Sequence, residues 1–326
     1  MKKKVFVARA VFPQALERLQ RRFDVVANQE DRIHSADELT ERARGMHGLF
    51  TTGSERVTPA LFAANPQLEA VCNMAVGYNN IDVDAATAAG VMVTNTPDVL
   101  TETTADFAWA LLMAAARRVT ESEHWLRAGK WTKWRYDTLL GADLHGSTLG
   151  IVGMGRIGQA VARRSLGFGM RVVYHNRSRL APEQEAASNN ARWVEKEELL
   201  RTADHVMLVL PYSAATHHTI GESELALMKP TATLTNVARG GIVDDAALIA
   251  ALRDHRIAAA GLDVFENEPA LNPGFLELHN VVLTPHIASA SEPTRLAMAN
   301  VAADNLIAAL TGQEPPNLLN PGVKQK

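Results

Sequence analysis

The run Gly153-Met154-Gly155-Arg156-Ile157-Gly158 follows a β-branched stretch at 148–152 and opens a helical pattern over 159–166. Strand, G-x-G-x-x-G and helix in that order are what a dinucleotide-binding turn requires. Gly153 permits the tight turn, Gly155 lets the backbone approach a pyrophosphate, and Gly158 allows the helix to pack closely on the strand. The N–H groups at the helix N-terminus then face the phosphates. The next strand ends at Tyr174-His175-Asn176-Arg177-Ser178, with Asn176 lying 18 residues past Gly158. A site for NAD usually places an acid there to read the ribose hydroxyls, and that acid would repel a 2′-phosphate. The acid is missing, and Arg177 with Ser178 and Arg179 offers cationic and hydroxyl donors. The pattern predicts NADPH as the preferred cofactor, with NADH possible.

Three further segments each follow a predicted strand: 236–241 with Arg239, 263–269 with Glu268, and 284–289 with His286. Loops at the carboxyl ends of an open parallel sheet face the ligand crevice. An Arg, a Glu and a His therefore arrive at the same rim as the nicotinamide. Singly, a surface Arg or Glu is usually just solvated, and the flanking Gly and Pro residues only make turns. Together, on one nucleotide-binding sheet, they form a chemically complete set.

The elements that must position these groups alternate strand and helix, which argues for α/β layers and parallel sheets. Strands are expected at 5–7, 25–26, 48–50, 70–73 and 91–93, and helices at 13–22, 35–44 and 58–64, the second opened by the capping box Ser35-x-x-Glu38. A long Ala-rich helix over 103–119 follows. A second array has strands at 148–152, 171–175, 205–210, 233–236, 258–263 and 281–284, and a last helix spans 292–310. The expected architecture is two Rossmann-like domains, the smaller one flavodoxin-like and discontinuous. Residues 1–100 and 289–326 form the substrate domain, residues 101–288 bind the dinucleotide, the chemistry lies in the cleft between them, and the hinges sit near Pro97 and Ser289.

The chain has 326 residues and a formal net charge of −3, from 33 Lys+Arg against 36 Asp+Glu. That balance leaves no basic surplus for nucleic acid. No stretch is long and apolar enough for a membrane span or a signal peptide. The one cysteine, Cys72, cannot form an internal disulfide and reads as inert core packing, so a reducing, cytoplasmic setting is expected. His217 and His218 have no Cys, Asp or third His at ligand spacing, and no metal is expected. Trp125, Trp131 and Trp134 lie within ten positions. They are either anchors on the protein's own surface or an arm that packs on a second subunit.

With 73–82 (NMAVGYNNID), 96–106 (TPDVLTETTAD), GIVGMGRIG and TPHIAS, the chain resembles the D-isomer-specific 2-hydroxyacid dehydrogenase family over nearly its whole length. Residues 140–158 and 261–269 (GLDVFENEP) carry a finer likeness to its bacterial glyoxylate/hydroxypyruvate reductases, which also reduce 2-ketogluconate. The resemblance implies that Arg239 holds the substrate's carboxylate and carbonyl. It implies that His286 protonates the developing alkoxide, and that Glu268 pairs with His286, favouring its charged form and fixing its orientation. Backbone N–H groups of Val76 and Gly77 would bind the carboxylate, and Leu100 would line the cleft. Thr104, Arg156, Ile157, Pro211, Val237 and Ser289 would contact the cofactor, with Asp263 near the nicotinamide amide. The formate dehydrogenase branch carries Gln in place of Glu268. A small 2-keto acid as partner and a homodimer are expected. Rival readings are another D-2-hydroxyacid or phosphite dehydrogenase, or a nucleotide-sensing regulatory protein on the same fold.

Overall fold

The computed structural model describes residues 2–323. By its internal contacts the chain divides into two compact units, residues 1–100 with 290–326, and residues 101–289.

In the first unit, strands β1 (Lys4–Val7), β2 (Asp24–Ala27), β3 (Gly48–Thr51), β4 (Ala70–Asn73) and β5 (Met92–Thr94) alternate with helices α1 (Pro13–Arg22), α2 (Ala36–Arg42), α3 (Pro59–Ala64) and α4 (Val83–Ala88). Among the described residues the strands form one parallel sheet in the order β2-β1-β3-β4-β5, the flavodoxin-like arrangement. Local sequence sets several helix starts. Pro13 and Pro59 stand in first turns, where a missing N–H costs nothing, and the Ser35–Glu38 capping box closes both ways on α2.

The second unit opens with α5 (Thr101–Ala116) and α6 (Val119–Arg127). The single helix expected over 103–119 is therefore two. Arg118 adopts a left-handed φ of 54°, breaking the helix, and its guanidinium pairs with Glu121 in the first turn of α6. There follow β6 (Thr148–Val152), α7 (Arg156–Ser165), β7 (Arg171–His175), α8 (Pro182–Ala187), β8 (Arg192–Trp193), α9 (Lys196–Thr202), β9 (His205–Leu208), α10 (Glu222–Leu227), β10 (Thr233–Asn236), α11 (Asp245–Arg253), β11 (Ala259–Leu262) and β12 (Val281–Leu283). Among the described residues these strands build a parallel sheet in the order β12-β11-β10-β9-β6-β7-β8. Strand order reverses between β6 and β9, the switch point at which α/β sheets bind ligands beyond their carboxyl ends. The chain then returns to the first unit as α12 (Glu292–Leu310).

Each sheet carries apolar cores. Val152, Leu208, Leu234 and Phe275 belong to one cluster of the seven-stranded sheet, and Leu112, Ile151 and Tyr174 to another. In the first unit Leu306 and Leu310 of α12 pack with Val5, Phe50 and Cys72. Every cluster of buried residues draws on one unit alone. No helix among the described residues is long and apolar enough to cross a membrane.

Candidate active site

The turn after β6 is closed by glycine geometry. Gly153 holds φ at 100°, and a Cβ there would lie 2.7 Å from the Leu210 backbone nitrogen. A Cβ on Gly158 would lie 2.3 Å from the Gly153 carbonyl oxygen, so α7 sits directly against the turn. A Cβ on Gly155 meets nothing within 4 Å, which leaves room for a phosphate against the backbone. Helix α7 begins at Arg156, inside the glycine motif, with Gly155 as its N-cap. These features fit a dinucleotide pyrophosphate: a helix N-terminus, and no Cβ at Gly155 in the way.

Asn176 faces this turn, and its Oδ1 accepts a 2.7 Å hydrogen bond from the Met154 N–H. In the adjoining loop Arg179 forms a bidentate pair with Glu185 of α8 at 2.8 Å on both arms, so part of its donor capacity is used within the protein. The Tyr174 hydroxyl also donates to Glu185, at 2.7 Å. Arg179, with Tyr174, holds that carboxyl down to about 2. Arg177 and Ser178 are exposed, and neither side chain has a partner among the described residues. Elsewhere in this unit Thr104 is buried on α5, Val237 is buried after β10, Ile157 is half-buried in the first turn of α7, and Pro211 is exposed after β9.

Arg239, Glu268 and His286 sit on the loops that follow β10, β11 and β12. His286 Nδ1 lies 2.7 Å from Glu268 Oε2, and the other carboxylate oxygen accepts the Phe265 N–H at 2.8 Å. Burial alone would raise the Glu268 carboxyl. The hydrogen bond and charge of His286, the Phe265 N–H and the Arg239 charge outweigh burial and lower it. His286 Nε2 has no partner among the described residues, and the ring is exposed. Asp263 fixes the loop that bears it. Its carboxylate, fully buried, accepts from the Thr284 hydroxyl at 2.7 Å and from the Ile287 and Ala288 N–H groups at 2.8 Å each. Ser289, half-buried, ends this loop.

Asn236 holds the arginine loop, accepting from the Ala238 N–H at 3.0 Å and donating to the Arg239 carbonyl at 3.2 Å. Burial lowers the Arg239 guanidinium, partly offset by the Glu268 charge. Gly240 presses this loop onto the one that carries Glu268, since a Cβ there would fall 1.7 Å from the Phe265 carbonyl oxygen. Asn236, Gly240 and Asp263 thus align three strand-end loops. Of these, only Asp263 stands out in the sequence.

Val76, Gly77 and Leu100 belong to the first unit, the first two half-buried on the loop after β4 and Leu100 buried at the unit's end. Cys72 is buried in β4, and burial pushes its thiol up to about 12. Glu266 comes within reach of His217 and His218, a proximity that sequence spacing does not reveal. The two imidazoles are stacked, with centroids 3.8 Å apart and planes 23° apart. One ligand atom from each of His217, His218 and Glu266 lies within 4.8 Å of the others, a spacing that could hold a metal ion. His218 Nε2 makes a 2.6 Å contact with Glu266. Trp131 and Trp134 are 58% and 79% exposed, so neither is an anchor on the protein's own surface.

Residues 109–288 match the family model described as D-isomer specific 2-hydroxyacid dehydrogenase, NAD binding domain. The chain belongs to this family. It is therefore an NAD(P)-dependent oxidoreductase of the 2-hydroxyacid dehydrogenase type. It is 49% identical over 324 residues to a glyoxylate reductase of Thermococcus gammatolerans, covering 98% of this chain and 96% of that protein. A glyoxylate reductase of Aeropyrum pernix is also 49% identical, over 97% of this chain and 96% of its own length. Among solved structures, an NADPH-dependent glyoxylate/hydroxypyruvate reductase of Sinorhizobium meliloti in complex with NADP and malonate superposes with a TM-score of 0.88. It is 36% identical and covers 100% of this chain and 99% of its own.

Proposed function

We propose that this dehydrogenase works as a reductase, converting small 2-keto acids (glyoxylate, hydroxypyruvate and 2-ketogluconate) to D-2-hydroxy acids with NADPH, and that His286 is the proton donor. The observation that carries this reading is the 2.7 Å contact of His286 Nδ1 with Glu268, which leaves Nε2 open. A ring held at one nitrogen by a carboxylate presents its other nitrogen as an acid in a fixed direction. In the forward reaction that nitrogen protonates the alkoxide, and in reverse it removes the hydroxyl proton. Glu268 balances the charge on the ring while it is protonated. Arg239 holds the substrate's carboxylate and carbonyl by charge-assisted, bidentate hydrogen bonds. Val76 and Gly77 N–H groups take the carboxylate, and Leu100 lines the substrate. The reduced nicotinamide supplies the hydride when bound. Gly153, Gly155, Arg156, Ile157 and Gly158 hold the cofactor's phosphates, with Thr104, Asn176, Pro211, Val237, Asp263 and Ser289 as further contacts.

Arg177 and Ser178, exposed and without side-chain partners among the described residues, support NADPH, since a guanidinium matches a 2′-phosphate. In this reading the first unit serves the substrate and the second the cofactor. The working form is a homodimer. Its support is the exposure of Val119, Leu126, Trp131, Trp134, Tyr136 and Leu140, an aromatic-rich strip of the kind enriched in interface cores. The protein acts in the cytoplasm, a setting that suits a single free thiol.

The test is NADPH oxidation with glyoxylate, hydroxypyruvate and 2-ketogluconate beside a buffer-only control, then NADH for comparison. Fast turnover preferring NADPH is expected. No turnover with NADPH still tightly bound overturns the reading as a reductase of these 2-keto acids, and a preference for NADH overturns the cofactor assignment.

A further inference from the structure

The loop after β4 offers three successive N–H groups, those of Val76, Gly77 and Tyr78, and none finds an acceptor among the described residues. The carbonyls on the same peptides are each held. The Ala75 carbonyl accepts the Thr96 N–H at 2.9 Å. The Val76 carbonyl accepts Asn95 Nδ2 at 2.8 Å, and the Gly77 carbonyl accepts Asn73 Nδ2 at 2.9 Å. In a trans peptide the N–H points opposite to the C=O, so pinning three carbonyls aims three N–H groups.

The pins are themselves fixed. Asn73 is fully buried, and its Oδ1 accepts the Thr51 hydroxyl at 2.8 Å. Asn95 is held through its own carbonyl, which accepts from Asn305 Nδ2 at 3.1 Å. Asn305, fully buried on α12, also donates to Asn317 Oδ1 at 3.2 Å, and its Oδ1 accepts the Asn317 N–H at 3.2 Å. A run of side-chain amides therefore links the residues after α12 to the loop.

We infer that Asn73 and Asn95, the latter held by Asn305, are positioning residues that preset Val76, Gly77 and Tyr78 as a three-donor cradle for the substrate carboxylate. The inference rests on the reading of Val76 and Gly77 given above and adds Tyr78 as a third donor. Aligned backbone N–H groups make an anion-binding concavity, and setting them before the substrate arrives removes an ordering cost from binding. The effect belongs in substrate affinity, not in the acid–base step.

The experiment compares Asn95→Ala with wild type and with Asn320→Ala. Asn320 is a buried amide of the same unit that bonds Thr87, Val91 and Val93 and does not touch the loop. Asn95→Ala should raise KM for glyoxylate about tenfold, the scale of one buried hydrogen bond. kcat should stay within about threefold and the NADPH Kd should not change. The amide resonances of Val76, Gly77 and Tyr78 should shift in the variant without substrate. Asn320→Ala should lower thermal stability and leave KM and those resonances alone. If Asn95→Ala does not fold, Asn95→Ser carries the same expectations. A folded Asn95 variant with wild-type KM and unshifted resonances overturns the inference, as does an equal rise of KM in Asn320→Ala. If wild type fails to reduce glyoxylate, the functional reading fails, while the resonances still decide whether Asn95 sets the loop.

Discussion

At the scale of single residues, the site depends on groups that act in pairs. Glu268 titrates below the ordinary carboxylate range because the favourable contacts of His286, Phe265 and Arg239 outweigh its burial. It is thus ionised at neutral pH, and its support of His286 is lost as pH falls through its lowered pKa. Glu268→Gln keeps an acceptor for Nδ1 but removes the charge. At pH 7 we expect kcat/KM to fall by about 10²-fold with the NADPH Kd unchanged, read from steady-state kinetics and fluorescence titration. Arg177→Ala should weaken NADPH by about 1–2 kcal/mol and leave NADH nearly unaffected, as two cofactor titrations would show. Equal losses on both cofactors would place the reader of the 2′-phosphate elsewhere.

Burial raises the Asp245 carboxyl to about 6. An acid whose folded pKa is raised stabilises the fold below its unfolded value, near 4, and loses that stability as pH rises through 6. Asp245→Asn keeps an oxygen for the Glu266 N–H and carries no charge. It should raise the unfolding free energy at pH 7.5 by on the order of 2 kcal/mol, seen as a higher Tm, with the gain gone at pH 4. A thermal melt at each pH checks it. These residue types and their order along the chain are visible in the sequence, but their partners are not. Arg179 is paired across a turn with a helix residue, and Asn95 meets Asn305 from 210 positions away. No periodic pattern marks either pair.

At the scale of elements, the strands were more legible than the breaks. Continuous apolar runs such as β4 and β6 mark buried parallel strands directly, and the spacing of G-x-G-x-x-G places α7 after β6. The two-residue β8 is too short for any pattern to reveal. The gap between α5 and α6 turns on the backbone of Arg118, a residue whose type favours helix. Alignment of the strand-end loops is also hidden, because it depends on an atom that is missing. Gly240 has no Cβ, and that lets the Arg239 loop rest on Phe265. Gly240→Ala must drive the two loops apart. We expect at least about 10²-fold loss of kcat/KM in a protein that still binds NADPH, because small displacements of catalytic groups carry costs of that order. Wild-type kinetics in that variant would mean the loops yield without consequence.

At the scale of the whole molecule, the exposed strip from Val119 to Leu140 departs from ordinary surface composition. Six large apolar residues there face outward, with Tyr136 82% exposed. If a second copy covers them, Trp134→Glu should shift the particle from about 70 to about 35 kDa in light scattering, since charges are depleted at interface cores. A wild-type protein that elutes as a monomer would remove the dimer. The two-unit architecture was legible from strand count and the glycine motif. The exposure of the tryptophans was not, because the same residue type serves cores and interfaces alike.

The chain passes between the units twice, at 100–101 and at 289–290, and every core cluster stays within one unit. Residues 101–289 are, in genetic terms, a cassette inserted into a five-stranded domain. Recombination at those two junctions would exchange the dinucleotide-binding segment between relatives without recutting a hydrophobic core. Arg177, proposed above as the reader of the 2′-phosphate, would move with the cassette, while the amide-pinned loop at Val76 would stay behind. On the proposed roles, a lineage built this way could change its reductant and its substrate in separate evolutionary steps.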